Sequence, residues 1–448
     1  MSGTSILWLR RDLRIHDHPA LEAARSRADH LVPVFCFDDR LLHGRHASGP
    51  RTQFLLECLA DLDLSLRARG SRLVVRHGRP EHEIPKLIAE TKADAVHFTA
   101  DAGPFARTRD THVTNALNVP SHEHPGLFAI DDLEAIRTHA GEPYTVFTPF
   151  HRTWLRTPRR RSHGAPRRLP LLPERLDPGT LPGLTNLGLR QEVEEPMPGG
   201  ESHARERLTR FIADRAQAYG DTRDLVAEDG ASRLSPYLHF GCLSPRELED
   251  RVPSAEFRRQ LCWRDFYAHV LRHFPRNAHS EHQERYRGTI RWSRSNKRFE
   301  AWREGRTGYP LVDAGMRQLQ REGWMHNRAR LVAASFLTKD LGIDWRWGER
   351  WFMRLLLDGD EASNNGNWQW IASVGVDPQP AFRRMFNPER QRERFDPDCA
   401  YVERYVPELR KNGEYIKPIV EHKAAREEAL ARYRLAASPR RAAQPRPG

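Results

Sequence analysis

Apolar positions in the first 130 residues come in short unbroken runs rather than in alternation. Ile6–Leu9, Leu31–Phe37, Leu73–Arg76, Ala95–Phe98 and Leu127–Ile130 each read as a strand. A run that is apolar at every position suits a strand buried on both faces. Between the runs the period lengthens. In Arg51–Arg69, Phe54, Leu55, Cys58, Leu59, Leu62 and Leu66 repeat on one helical face, and Gly70 supplies a stop. Alternating strands and helices predict an α/β domain with a doubly wound parallel sheet over residues 1–132. Neither G-x-G-x-x-G nor G-x-x-x-x-G-K occurs, so a ligand of this domain is not held by the usual phosphate loops.

Residues 133–200 change character. Arg152, Arg156, Arg159, Arg160, Arg161, Arg167, Arg168 and Arg175 are interrupted by Pro158, Pro166, Pro170, Pro173 and Pro178. Proline at this density excludes long helices, so a connector wrapped over the surface is expected. Residues 201–420 are helical in pattern almost throughout and hold nine of the eleven tryptophans, all between Trp263 and Trp370. Residues 421–448 turn charged and Ala-rich, then Pro/Arg-rich, which predicts a disordered basic tail.

Composition narrows the class. A chain of 448 residues exceeds the about 250–300 that one core supports, so at least two domains are expected. No run of about 18 apolar residues exists, and the apolar start precedes its arginines instead of following them. A cytoplasmic protein without a membrane partner is therefore expected, as a monomer. Five cysteines without a C-x-x-C pair read as reduced thiols. The net charge of +12 is compatible with a polyanionic partner.

Four segments carry candidate chemistry. In Asp229–Pro245, Ser235-Pro236 and Ser244-Pro245 each read as an N-cap followed by proline at the first helical position, with Glu247 completing a capping box. With Ser232 and Arg233 just before, two helix N-termini make either an anion site or simply two capped helices. In Arg258–Tyr267, Gln260, Trp263, Arg264 and Tyr267 share a helix face. In Gly323–Lys339, Asn327, Arg330 and Leu331 fall on one side, where buried polar groups need partners. In Leu357–Trp370, Asp358 and Asp360 are placed to pair with those arginines, and the asparagines before Gly366 suit a turn. The D-x-D pair is not read as a metal site, because the later calcium-loop positions are absent.

LWLRRDLRIHDHPAL, SRLSPYL, QLCWRDFY, TGYPLVDAGMRQL, GWMHNRAR, FLTKDLGIDWRWGERWF, DGDEASNNGNWQW and FRRMFNP follow in this order. With them the chain closely resembles the DNA photolyase/cryptochrome family, most of all microbial photolyases (class I type) that split cyclobutane pyrimidine dimers. The resemblance implies an N-terminal α/β domain joined to an all-α domain that holds FAD. It carries Tyr219, Ser232, Arg233, Leu234, Ser235, Arg264, Asn327, Arg330, Asp358, Asp360 and Asn364 over as FAD-binding residues, with Asn364 facing flavin N5. Trp368, Trp345 and Trp292 match an electron-transfer chain, from the flavin outward. Trp263 and Trp370, with Gln260, Asn327, Arg328 and Leu331, match the pocket for the flipped lesion, and Arg328 and Arg383 its phosphate contacts.

Three positions depart from the family pattern. Ala231 replaces the usual threonine, Gln260 the glutamate of dimer-repair members, and Leu331 a methionine. Gln260 keeps an amide donor but carries no charge. Photolyases of the 6-4 class share the glutamine but need histidines where Asn327 and Leu331 stand, and His326 is expected to point elsewhere. For a light-harvesting antenna, deazaflavin is favoured over folate, with Arg51, Asp101 and Phe105 as candidates. The resemblance thus implies a light-driven lyase on pyrimidine dimers in DNA. The alternatives are a cryptochrome-like photoreceptor or a 6-4 photolyase.

Overall fold

The computed structural model describes residues 3–26, 28–228, 230–412 and 415–438, without the side chains of 410–412. Five parallel strands form one sheet in the order β3-β2-β1-β4-β5. They are β1 Thr4–Leu9, β2 His30–Phe37, β3 Val74–His77, β4 Ala95–Thr99 and β5 Ser121–His124. Central β1 pairs with β2 on one side (Ile6 opposite Val32) and with β4 on the other (Ile6 opposite Val96). Its unbroken apolar run is explained by what lies on each face. Ile6 and Trp8 pack with Val34, Ile84, Leu87 and Phe98 on one side. Leu7 and Leu9 join a second core on the other. That second core does not stop at the sheet. It continues through Phe54 of the helix Gly49–Arg67 into Tyr237 and Phe240, whose rings lie 5.4 and 5.5 Å from that of Phe54. One apolar core therefore fuses the sheet to the helical part.

The fifth strand lies just before the run expected to form it. Ser121–His124 is an edge strand, and an edge can be polar because one face and one side meet solvent. The run Leu127–Ile130 is not a strand. Leu127 and Ile130 are buried at the domain junction instead, and the Ala129 N–H donates to Asp265 (3.1 Å). The proline-rich connector also holds a helix, Phe147–Arg156. Phe147, Phe150 and Trp154 share its buried face and pack on the helix Ala255–His273.

A third core binds the helices Pro310–Glu322, Asn327–Ser335, Trp345–Leu355 and Glu361–Ile371 around Trp302, Trp345 and Trp368. The expected tail is ordered over much of its length. His422–Ala437 is a helix, and its Tyr433 is buried, with the phenol oxygen accepting a bond from Lys339 Nζ (2.7 Å). Small alanines at 425, 429 and 436 let that helix approach closely, which composition alone reads as disorder. Residues 439–448 of the predicted tail lie outside the described residues. Among the described residues, no helix is long and apolar enough to cross a membrane.

Candidate functional site

A cavity of about 440 Å³ opens among the helices of residues 219–371. That volume is within the range of about 300–1,000 Å³ typical of ligand sites. Tyr219, Ala231, Ser232, Arg233, Leu234, Ser235, Gln260, Trp263, Arg264, Asn327, Arg330, Leu331, Asp358, Asp360, Asn364, Trp368 and Trp370 all line it. The four segments singled out by pattern therefore converge on one hollow.

The rim at 231–239 is built differently from its pattern. Arg233 has φ +53°, a left-handed conformation uncommon for a residue other than glycine and often found at functional sites. Its guanidinium donates to Glu322 (2.9 Å) and covers the Trp324 ring at 4.4 Å. Ser235 is not an N-cap. It lies inside the short helix Ser235–His239, and its hydroxyl donates to Asp358 Oδ2 (2.6 Å). Ser244 does cap the helix Pro245–Arg251, accepting from the N–H groups of Arg246 and Glu247. Glu247 closes no capping box; it pairs with Arg205 and Arg251, and this helix end is not on the cavity. The proposed pair of helix-terminus anion sites is thus reduced to the Ser232–Ser235 loop.

Asp358 and Arg330 form the expected pair, with two bonds of 3.1 and 2.8 Å. Asp360 does not join the arginines of that helix. Its Oδ1 accepts from the Ser363 N–H (2.9 Å) and caps Glu361–Ile371, while Oδ2 accepts from Arg11 Nη1 (2.7 Å). Burial works to raise Asp360, but Arg11, with Arg264 beside it, outweighs burial and holds the carboxyl well below the ordinary range. Asn364 and Asn365 are no turn; both sit within Glu361–Ile371. Asn364 Nδ2 donates to the Glu349 carbonyl (3.0 Å), which leaves Oδ1 as the acceptor end of the amide. Two glycines make the close packing here possible. A Cβ on Gly366 would stand 2.1 Å from the Tyr267 ring, and one on Gly348 2.1 Å from the Trp368 ring.

The aromatic wall has its own supports. Trp263 is stacked on Phe147, with centroids 3.5 Å apart and planes within 3°. Trp370 is covered by Arg384 at 4.3 Å and donates to Asp377 (3.2 Å). Gln260 is half-buried on the same helix as Trp263, three residues before it. His326 faces the cavity, contrary to expectation. As the cap of Asn327–Ser335 it accepts the Arg328 N–H on Nδ1 (3.1 Å), and burial holds it down to about 4.

Other assigned residues lie off the cavity. Arg328 pairs with Asp224 and covers the Phe395 ring at 4.5 Å, while exposed Arg383 bonds Gln379 (3.0 Å). Trp345 is fully buried, and Trp292 is half-buried against the same core, edge-on to Tyr433 at 6.3 Å. The three antenna candidates are spent on other partners. Arg51 donates to the carbonyls of His46, Met353 and Leu356, Asp101 accepts from Arg11, and Phe105 lies under Arg40 (5.4 Å) and Arg109 (5.9 Å). Two features of the site escaped the pattern. Phe147, which backs Trp263, was not singled out by the sequence. His239 has a buried Nδ1 without a partner among the described residues, and burial together with Arg11 holds the ring neutral, down to about 3.

The donor set suits FAD. Serine hydroxyls and Arg233 stand at one part of the rim. An ionised carboxylate, an unpartnered imidazole nitrogen and a side-chain amide stand deeper, as a ligand with both phosphates and a polar ring edge requires.

Comparison with known proteins agrees. Residues 257–414 match the family model for the FAD binding domain of DNA photolyase, and residues 5–171 that for DNA photolyase. The deoxyribodipyrimidine photo-lyase of Synechococcus sp. is 38% identical over 472 residues, covering 97% of each chain. The solved class III photolyase from Agrobacterium tumefaciens superposes with a TM-score of 0.87 at 35% identity, over 97% of this chain and 98% of that one. The archaeal photolyase from Sulfolobus tokodaii, solved with two FAD molecules, gives 0.83 at 32% identity, over 96% and 99%. A parallel sheet and a helical cavity joined by one core, matched end to end by such relatives, make this chain a member of the DNA photolyase/cryptochrome family.

Proposed function

We propose that the protein is a light-driven lyase that splits cyclobutane pyrimidine dimers in DNA, acting as a cytoplasmic monomer. The observation that carries this reading is the single cavity shared by polar groups suited to FAD and an aromatic wall suited to a flipped lesion. FAD, when bound in its reduced form, supplies an electron on absorbing light and takes it back after the ring opens.

The protein's own groups bind and orient. Arg330 neutralises Asp358, and the pair with Ser235 fixes one side of the site. Trp263 and Trp370 offer apolar faces to a dimer that cannot stack in the duplex, and the damaged step lowers the cost of flipping it out. Gln260 and Asn327 supply amide donors for base carbonyls. Trp368, Trp345 and Trp292 are assigned to carry electrons inward from the surface, and Arg328 and Arg383 to contact phosphates. A second chromophore, deazaflavin rather than folate, belongs in this reading to the N-terminal domain, but not at Arg51, whose guanidinium is committed elsewhere. The 6-4 reading is weaker, because the one histidine on that helix end, His326, uses Nδ1 as a cap.

The test is illumination of the reduced protein with dimer-containing oligothymidine, following recovery of thymine absorbance. Recovery is expected. Normal photoreduction without recovery would turn the assignment to a cryptochrome-like photoreceptor.

A further inference from the structure

The loop Asp358–Asp360 belongs to the helical domain, but much of its bracing comes from the sheet. Arg11 follows β1, and Asp101 follows β4. Arg11 Nε and Nη2 donate to the two Asp101 oxygens (2.8 Å each), leaving Nη1 for Asp360 Oδ2 at 2.7 Å. Arg51 lies beneath the same loop, where a Cβ added to Gly359 would stand 2.6 Å from its Nη1. Asp360 uses its other oxygen to cap the helix that carries Asn364, Trp368 and Trp370.

We propose that Arg11 is a positioning residue of the FAD site, clamping Asp360 and the first turn of its helix from the N-terminal domain. The proposal rests on the FAD-binding reading and is independent of which lesion is repaired. A bidentate partner behind it makes Arg11 a stiff arm: Asp101 fixes the guanidinium plane, so the remaining nitrogen points in one direction. The groups acting on Asp360 are Arg11, Arg264, Arg51 and His239, whose Nδ1 stands 4.0 Å away, with Asp101 behind Arg11. His239 is uncharged, and Arg264 is spent on the carbonyls of Leu127 and Leu238. Without Arg11 the buried carboxyl therefore loses its main compensation and takes up a proton at higher pH. A protonated Asp360 is a poorer helix cap and a weaker acceptor at the cavity edge.

The test uses the full chain as wild type, Arg11→Met, Arg11→Lys, Asp360→Asn and the Arg11→Met/Asp360→Asn double variant. FAD affinity is read by flavin fluorescence from pH 4 to 8, beside the melting temperature of each apoprotein. Wild type must first bind FAD; failure there ends the cofactor reading itself. Arg11→Met is expected to weaken FAD binding roughly tenfold at neutral pH, with a further loss toward the acid end of the range that is larger than in wild type. Arg11→Lys should restore most of the affinity and the wild-type profile. In the Asp360→Asn background, Arg11→Met should add little. A loss equal at every pH, a loss additive with Asp360→Asn, or affinity within about twofold of wild type overturns the proposal. Should Arg11→Met not fold, Asp101→Asn is read in its place, with the same pH limb expected at smaller size and an unchanged profile overturning the proposal.

Discussion

Two regions of this molecule are lined by arginines and aromatic rings, and they spend their polar groups differently. At the carboxyl ends of β1 and β4, where ligands of doubly wound sheets bind, the side chains satisfy each other. Arg10 covers Trp8 at 4.5 Å and Phe98 at 4.9 Å while pairing with Asp110, and Arg109 covers Trp8 at 5.0 Å and bonds the same carboxylate. In the helical cavity the arginines are also paired, but the pairs stand around a hollow of about 440 Å³, and among the described residues His239 Nδ1 has no hydrogen-bond partner, with Asp360 4.0 Å away. Arginine beside tryptophan is thus no signal of binding by itself. The signal is polar capacity that the fold leaves unspent.

Perturbing each region sharpens that difference. The largest effect is expected in the cavity. Arg330→Leu strips Asp358 of its partner, and FAD affinity should fall by about 3 kcal/mol, measured by fluorescence titration. Next, Trp292→Phe should abolish photoreduction of the flavin while repair by chemically reduced protein survives; loss of both would contradict its assigned role. In the sheet crevice, Arg10→Leu leaves Asp110 with Arg109 alone, so stability to denaturant should drop by about 2 kcal/mol with no change in FAD affinity.

The junction between the regions should respond to pH. Burial pushes Asp265 up to about 6, against the bond from Trp154 and the nearby Arg264. The folded protein then keeps a proton that the unfolded chain releases near pH 4. Stability should therefore fall as pH rises through that window, and Asp265→Asn should flatten the slope of urea midpoints against pH. The smallest effect belongs to Gln260→Glu. It introduces the carboxyl that the resemblance gives to dimer-repair members, and the repair yield per photon should change by less than about tenfold.

The sequence pattern captured four of the five strands: β1 and β2 because they are apolar and buried along almost their whole length, β3 and β4 because enough apolar residues remain around Arg76 and His97. It missed β5, since an edge strand of Ser121–His124 carries no apolar signal, and it misplaced that strand onto Leu127–Ile130, a run buried in the junction. The helix Phe147–Arg156 and the ordered helix His422–Ala437 were hidden by composition: proline and arginine around one, alanine and charge along the other. At the site, the segments that converge were legible, and so was the Arg330–Asp358 pair. What local pattern cannot express is contact between distant segments. Arg11 meets Asp360 across 349 residues, and Ser235 is drawn from its expected cap by Asp358, 123 residues away.

That one cavity serves both cofactor and lesion is tested most directly in the dark. The flavin-loaded protein is titrated with an oligonucleotide carrying one thymine dimer, and separately with its undamaged copy, while the flavin absorption spectrum is followed. A saturable spectral change with the damaged strand alone, lost in Trp263→Ala, is predicted. Damaged DNA that binds equally well without disturbing the flavin, or a change identical for both strands, would place the lesion elsewhere on the surface.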